Sequence, residues 1–206
     1  MRKPLFLLIG GLLWILTGCS DQTTAAKKEP EKPPEPVSGL SAVYKMYQVA
    51  RTWAPDAQVL TMTNMHVSGV PEGNGKAGVW GATFASASLA KSRTYTYSIV
   101  EQLPDLHKAV FAGPESGFSG SKGEAKPFTI IAVKIDTDAA YKTAAANSKA
   151  AEYDRKNPGK TITYLLEKID RFPDAVWRVI WGESVGSSNF SVFVDASTGD
   201  FLEIMH

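Results

Sequence analysis

Cysteine is almost absent from this sequence, in which Cys19 is the single one among 206 residues. One thiol cannot form a disulfide within the chain, so the fold does not depend on one. Histidine is also rare, and nothing in the spacing of His66, His107 and His206 resembles a set of zinc ligands. The sequence therefore predicts no metal site and no cofactor.

An excess of one charge is missing as well. The chain has 22 Lys and Arg residues against 21 Asp and Glu residues, which gives a net charge of +1. This balance provides no basic surface for nucleic acid, so no nucleic-acid partner is predicted. The composition, with 44% hydrophobic and 21% charged residues, is that of a globular chain with enough apolar residues for a core.

The N-terminus is predicted to be a signal peptide. Two basic residues at positions 2 and 3 precede an apolar run of twelve residues at positions 5–16. A membrane-spanning helix needs about 20 apolar residues, so this run has instead the proportions of a signal-peptide core. It ends in the tetrapeptide LTGC at residues 16–19, whose small residues suit cleavage between Gly18 and Cys19.

The LTGC tetrapeptide resembles the lipobox of bacterial lipoproteins. The resemblance implies that residues 1–18 are removed and that Cys19 becomes the mature N-terminus, with acyl chains that anchor it in a membrane. Ser20 follows the cysteine and aspartate comes only at Asp21, which by the same resemblance favours the outer over the inner membrane. An ordinary secretory signal with a chance cysteine, or an uncleaved helix, stays open as the alternative.

Residues 19–39 are predicted to be a disordered tether. Residues 20–39 contain four prolines, mixed charge, no aromatic residue and a single bulky aliphatic one, Val37. Such a segment cannot bury a core. We expect it to hold the folded part away from the membrane, facing the periplasm.

The rest of the chain contains an internal repeat. When the sequence is shifted by 97 residues without a gap, residues of the same class coincide: Tyr44 with Tyr141, Met65 with Ile162, Trp80 with Trp177, Phe84 with Trp181, and Tyr95 with Val192. Few letters are identical, so a chance match stays open. The repeat predicts two units, residues 40–112 and 128–206, joined by a Gly- and Ser-rich linker at residues 113–127.

Each unit is predicted to begin with a helix. In the first unit Ser41 can cap a helix that Pro55 stops. In the second, Thr137 or Asp138 can cap an alanine-rich helix that ends at residues 157–159, which read Asn-Pro-Gly.

Three strands are predicted after each helix, from alternating apolar residues: residues 58–68, 78–86 and 94–101 in the first unit, and 160–169, 175–183 and 189–195 in the second. Residues 128–135 are predicted to be a further strand, and the turn residues at 197–200 predict a C-terminal hairpin. The predicted fold class is therefore α+β, with each helix packed on a short antiparallel sheet. Whether the two units share one sheet stays open.

Three segments of the second unit carry a family resemblance. They are SVFVDASTGDFL at residues 191–202, IDTDAA at residues 135–140, and Trp-Arg-Val at residues 177–179. Together they resemble a PepSY domain over residues 128–206. The first unit lacks the Asp-x-x-Thr-Gly turn and joins the family through the internal repeat alone, which implies two tandem PepSY-like, cystatin-like repeats.

PepSY domains are small secreted or membrane-attached modules, related in shape to cystatins and proposed to bind or inhibit peptidases. The resemblance therefore implies a binding or regulatory role in the cell envelope. The inhibitory loop Gln-x-Val-x-Gly of cystatins has no counterpart in this sequence, so inhibition of a peptidase stays open.

Several residues are candidates for a site but also have a structural explanation. Asp195, Thr198 and Gly199 are best explained as a tight turn. Aromatic residues at every second strand position are predicted to be core under the helices: Trp80, Phe84, Trp177 and Trp181. On the opposite face of their strand, Val176 and Ile180 are predicted to contact a partner or the other repeat.

No catalytic residue is predicted. Residues 182–184 read Gly-Glu-Ser near Asp195, but they lack the strand–turn–helix context and the neighbouring histidine of a serine hydrolase. Asp105 and His107 are too few for a metal site and are expected to be an exposed pair. Residues 113–123 lack the ending of a phosphate-binding loop and are predicted to be a flexible linker with a contact role.

The sequence thus favours a lipid-anchored protein of the cell envelope that binds a peptide or protein partner and is not an enzyme. An envelope hydrolase, or another enzyme with an unrecognised site, stays open as the alternative.

Overall fold

The computed structural model describes residues 34–206 of the protein. The predicted signal peptide, the cleavage site at Gly18 and Cys19, and residues 19–33 of the predicted tether lie outside the described residues. In chain order the elements are β1 (Val37–Ser38), α1 (Gly39–Trp53), β2 (Gln58–Asn64), β3 (Glu72–Gly73), β4 (Lys76–Ala77), β5 (Val79–Ser86), β6 (Lys91–Ser98), β7 (Ala109–Gly117), α2 (Thr137–Ala146), α3 (Ser148–Lys156), β8 (Ile162–Glu167), β9 (Val176–Trp181), β10 (Ser191–Asp195) and β11 (Phe201–Met205).

Eight of these strands form one antiparallel sheet in the order β11-β10-β9-β8-β2-β5-β6-β7. The first long strand of each half, β2 and β8, pair at its centre, with Met62 opposite Leu166. A second, small sheet has the order β1-β4-β3. The α+β class is confirmed, and the question left open by the sequence is answered, since both halves contribute to one continuous sheet.

The two halves have the same order of elements, a helical segment followed by four consecutive strands of the large sheet. Trp80 lies opposite Tyr97, and Trp177 lies opposite Val194, which agrees with the 97-residue shift. The 97-residue shift fails in the first strand of each half. Asn64 pairs with Trp80, and Leu166 pairs with Trp177, so the counterpart of Asn64 is Leu166 and not the residue 97 positions later. The ungapped pairing of Met65 with Ile162 is therefore wrong.

The helix starts differ from the predicted caps. α1 begins at Gly39, so Ser41 lies inside the helix. Its first amides are instead satisfied from the other half of the chain: Gly39 N–H donates to Thr137 Oγ1 at 2.8 Å and Leu40 N–H to Asp136 Oδ1 at 2.9 Å. Asp136 also caps α2.

The single predicted helix of the second half is two helices. Asn147 ends α2 and begins α3, where its side chain accepts a hydrogen bond from Lys149 N–H at 3.0 Å. Asparagine favours such caps because its side chain competes with the helical backbone for hydrogen bonds. The predicted end at residues 157–159 is confirmed.

Two connecting segments also differ from the predictions. Residues 128–135 are not a strand: they contain a short 3-10 turn at Ile130–Ala132, preceded by a single bridge between Val59 and Phe128. β7 was not predicted, because glycine and proline interrupt its apolar pattern. Pro114 is tolerated in this edge strand because it lies at the register shift of the β6–β7 pairing, where it has no partner residue.

The boundaries predicted for the tether and for the linker between the units therefore differ from the structure. β1 and the start of α1 fall in the segment predicted as tether, and β7 extends into the predicted linker at residues 113–117.

The main core lies between the helices and one face of the large sheet. Residues of α1 such as Val43 and Met46, and residues of α2 such as Ala140 and Ala144, are fully buried there. The opposite sheet face has no helix over it among residues 34–206 and carries a separate, small cluster of Ile169, Val176 and Phe193. This helix-free face is where an open site can form.

Candidate binding groove

A large groove in the described part of the chain lies on the helix-free face and has a volume of about 960 Å³. Its floor crosses β2, β8, β9 and β10, and the segment at residues 121–126 forms one wall. Charged and polar groups on the floor are Thr61, Glu167 and Arg178, with apolar neighbours Leu165 and Phe193. The predicted linker therefore lines a candidate site.

Glu167 and Arg178 come together through strand register. Arg178 lies opposite Leu165, two residues before Glu167, so the two charged residues are diagonal neighbours on one face. Both are partly buried, yet no ion pair or hydrogen bond joins them among the contacts of residues 34–206. The groove therefore holds two opposite, unpaired charges.

The electrostatics of both groups reflect their burial. Burial raises the pKa of Glu167 above its usual value, and the nearby Arg178 offsets only part of this effect. Burial likewise lowers the pKa of the Arg178 guanidinium, which Glu167 partly counteracts. Each charge is thus held in the groove at an unfavourable desolvation free energy.

The Arg178 side chain is held in place by its neighbours. Its Nε donates to Ser191 Oγ at 3.0 Å, and Nη2 contacts the thioether sulfur of Met205 at 2.9 Å. The guanidinium lies over the Phe193 ring, with Cζ 5.1 Å from the centroid. A thioether is a weak acceptor, so the terminal nitrogens remain available to a better one.

The second arginine of the groove is already paired. Arg171 forms an ion pair with Glu203 and also lies over Phe193, with Cζ 5.7 Å from the ring centroid. At the rim, Lys126 forms an ion pair with Asp170. These pairs leave Glu167 and Arg178 as the distinctive charges of the floor.

Val176 and Ile180, the predicted partner contacts, do lie on this face. Val176 belongs to its small apolar cluster, and Ile180 lies four residues further along β9, so the alternation of side chains places it on the same face. Their side chains are 0% and 1% exposed, however, so neither offers surface to a partner in this conformation. Neighbouring residues, above all Arg178, provide the accessible surface instead.

Sequence reasoning missed Glu167 and Arg178 as site residues. Arg178 stands in the middle of the apolar strand VWRVIW, and Glu167 ends the strand ITYLLE. A charge at a strand position between buried neighbours was the available signal. The proximity of Glu167 and Arg178 could not be predicted from the sequence, because it depends on the register of β8 with β9.

The turn at Asp195 is structural, as predicted. Asp195 Oδ1 accepts hydrogen bonds from Ser197 N–H at 2.7 Å and Thr198 N–H at 2.9 Å, and Gly199 has the positive φ of 85° that such a turn requires. Burial raises the pKa of Asp195, but the hydrogen bonds from Ser197 and Thr198 together outweigh it and the pKa lies below its usual value.

The predicted aromatic core is confirmed: Trp80, Phe84, Trp177 and Trp181 are each at most 1% exposed. The two halves use equivalent tryptophans in the same way. Trp177 Nε1 donates to Ile135 O at 2.7 Å, and Trp80 Nε1 donates to Val37 O at 3.1 Å, in each case two residues before a helix begins.

The weak candidates for chemistry are not brought together. Ser184 Oγ lies 2.9 Å from Ser187 Oγ, in an exposed turn. His107 stacks on Phe111 with ring centroids 4.2 Å apart, and Asp105 makes no contact with it among the interactions of residues 34–206. No group of three or more potential metal ligands occurs within those same residues.

One hydrogen-bond chain has the outline of a catalytic triad. Thr163 Oγ1 lies 2.8 Å from His66 Nε2, and His66 Nδ1 lies 2.8 Å from Glu72 Oε2. The Thr163 hydroxyl, however, donates to the Gly182 carbonyl oxygen at 2.7 Å, so it accepts from the imidazole. A nucleophile must give its proton to the base, and Thr163 is also only 4% exposed, so this chain does not activate it.

No helix within residues 34–206 is long and apolar enough to cross a bilayer. Comparison with protein-family models and with curated proteins gave no match. Among solved structures, the chain is similar to a "putative lipoprotein" from Clostridium difficile 630, with 9% identity, a TM-score of 0.51, and coverage of 79% of this chain and 91% of that one. At this identity the likeness shows the fold alone. Because 79% of this chain is covered, the likeness includes parts of both halves.

Proposed function

We propose that this protein is a lipid-anchored component of a bacterial cell envelope whose helix-free sheet face binds an extended segment of a peptide or protein partner. The observation that carries the binding function is the groove, in which Glu167 and Arg178 are partly buried, opposite in charge and unpaired. Charged groups in such positions are stabilised when a partner supplies the missing contacts.

The anchor is supported by the sequence and by the fold comparison. LTGC at residues 16–19 follows a signal-like N-terminus, and a protein of the same fold is described as a "putative lipoprotein". Acylation of Cys19 would place the domain on the periplasmic side, with the outer membrane favoured by Ser20.

The two halves are proposed to be PepSY-like, cystatin-like repeats. Support comes from their common order of helical segment and four strands, from the equivalent roles of Trp80 and Trp177, and from the turn at Asp195. The sequence offers no counterpart of the cystatin inhibitory loop. The groove is therefore the better candidate for contact with a peptide.

Binding without catalysis is supported by the chemistry of the described groups. The groove floor offers Thr61 but no histidine beside it, and the triad-like chain at Thr163 has its hydroxyl proton committed to Gly182.

The anchor is tested by metabolic labelling with an alkyne-bearing fatty acid. We expect label on the wild-type protein and none on Cys19→Ala, together with release of Cys19→Ala from membranes. Label that persists on the variant would contradict the anchor, whatever the outcome for the groove.

The binding function is tested by photo-crosslinking in intact cells. A photoreactive phenylalanine analogue replaces Val185, a groove residue that is 41% exposed, or Leu89, which is 45% exposed, lies in the β5–β6 turn and does not line the groove. We expect a discrete crosslinked product from position 185 and none from position 89. Absence of any product at 185, or equal products at both, would contradict groove binding.

A further inference from the structure

We infer that the groove selects a dipolar segment of polypeptide, in which an acidic side chain binds Arg178 and a basic side chain, two residues away in an extended chain, binds Glu167. The inference rests on the proposed function and specifies its ligand. It depends on three properties of the groove: the free guanidinium fork, the free carboxylate, and the distance that strand register sets between them.

Arg178 is prepared to bind a carboxylate. Stacking on Phe193 and the hydrogen bond to Ser191 hold the guanidinium plane in place, while its terminal nitrogens meet only the sulfur of Met205. A planar guanidinium binds a carboxylate through two parallel hydrogen bonds, and a fixed plane loses little conformational entropy on binding. Arg171 cannot take this role, since Glu203 already occupies it.

Glu167 needs a donor. An ionised carboxylate only accepts hydrogen bonds, and Glu167 receives none from residues 34–206. Thr61 lies directly opposite it on β2, and no side-chain hydrogen bond joins the two among residues 34–206. An ammonium or guanidinium group on the ligand would supply both the hydrogen bond and the opposite charge.

The two charges together exclude ligands of a single sign. An acidic segment would meet Glu167, and a basic segment would meet Arg178, so each is opposed by repulsion in a partly desolvated site. The rim does not bias this choice, because Lys126 is neutralised by Asp170 and Lys122 stands near Glu124 in sequence.

The spacing of the ligand follows from the register. Diagonal neighbours on adjacent antiparallel strands lie about 7–8 Å apart. In an extended peptide, residues i and i+2 point to the same side and are about 6.8 Å apart. The matching ligand is therefore Glu-x-Lys, or the same pair in reverse order, presented by an extended chain.

The test uses four fluorescent ten-residue peptides, acetylated and amidated, that differ only in their central residues: Glu-Ser-Lys, Gln-Ser-Lys, Glu-Ser-Gln and Gln-Ser-Gln. Binding to the full lipidated chain in detergent micelles is followed by fluorescence anisotropy. We expect Glu-Ser-Lys to bind at least about tenfold more tightly than each peptide with one charge removed.

The variants assign each preference to one residue. In Glu167→Gln, Glu-Ser-Lys and Glu-Ser-Gln should bind alike, whereas in Arg178→Gln, Glu-Ser-Lys and Gln-Ser-Lys should bind alike. Glu115→Gln, which alters the exposed ion pair with Lys91 outside the groove, is the matched control and should retain the full selectivity. Thermal unfolding of each variant shows that it is folded.

The outcomes separate this inference from the proposed function. Equal binding of all four peptides would overturn the dipolar selectivity while groove binding stands. No binding of Glu-Ser-Lys, with a crosslinked product still formed at position 185, would also overturn it and leave the proposed function intact. Loss of both signals would overturn both.

Discussion

The carboxylate oxygen Oδ1 of Asp136 accepts a hydrogen bond from the backbone N–H of Leu40 at 2.9 Å, although 96 residues separate them in sequence. The same oxygen accepts from Thr137 N–H at 2.7 Å. One side chain therefore caps the helices of both halves. The N-terminal ends of α1 and α2 meet there, and each half completes the other.

Asp136→Ala should lower the free energy of unfolding by about 2 kcal/mol, because it removes two helix caps at once. Urea denaturation measures the change. Asp138→Ala is the control, since Asp138 lies in the first turn of α2 and, within residues 34–206, its side chain accepts only from Ala139 N–H; the stability lost with it should be smaller. Equal effects of the two substitutions would show that the contact with Leu40 contributes nothing.

Gly75→Ala should destabilise the protein by about 2 kcal/mol or more. Gly75 has a φ of +84°, and a Cβ there would overlap the backbone of Asp138 at the start of α2. Gly69→Ala is the matched control, because Gly69 has a φ of +76° but no atom near its Cβ position. The midpoint temperature of thermal unfolding should be well below that of Gly69→Ala in the Gly75→Ala variant. Similar midpoints for the two variants would argue against close packing of the β3–β4 hairpin on α2.

Two buried tyrosines should respond oppositely to loss of their hydroxyl group. Tyr164 Oη accepts a hydrogen bond from Gly75 N–H at 2.9 Å, so Tyr164→Phe leaves a buried donor unsatisfied and should cost about 1–3 kcal/mol. Tyr95 Oη is buried without a partner in the described part of the chain, so Tyr95→Phe should be neutral or stabilising. Chemical denaturation measures the free energy of unfolding of both variants. A clear decrease of this free energy in Tyr95→Phe would show that the Tyr95 hydroxyl has a hydrogen-bond partner.

Glu167→Gln should be more stable than the wild type at pH 7. Burial raises the pKa of Glu167 above 4.5, so ionisation is less favourable in the folded than in the unfolded chain. Wild-type stability should therefore fall, relative to the variant, as pH rises above about 4.5, and the two proteins should converge below that pH. Urea midpoints across pH 3–7 test this, and a variant less stable at pH 7 would mean that attraction to Arg178 dominates.

Asp56 should stabilise the fold above pH 4 and cease to do so in acid. Hydrogen bonds from Ser88 N–H and from Ser86 Oγ lower its pKa from 3.8 to about 2. The difference in stability between wild type and Asp56→Asn should be complete above about pH 3.8 and disappear as pH falls toward 2. A difference between the two proteins that stays the same from pH 5 to pH 2 would contradict a stabilising role of the ionised Asp56 carboxylate.

Part of the candidate site could be predicted from the sequence. The alternation in VWRVIW predicted that Trp177 and Trp181 face a core and that Val176 and Ile180 face the other way. It could not predict that Val176 and Ile180 are covered. Burial depends on what crosses that face, and only the folded chain places Phe193 and its neighbours there.

The sequence by itself determined the local features of this protein: the α+β class, most strands, the Asp195 turn, and the signal-like N-terminus with Cys19. These follow from short-range periodicity, turn chemistry and composition, which act over a few residues. Only the tertiary structure decided that β2 and β8 join the halves into one sheet, that Asp136 caps the helix at Leu40, and that Glu167 and Arg178 are diagonal neighbours in the groove. Such contacts depend on strand register and on the packing of distant segments, and no local pattern encodes either.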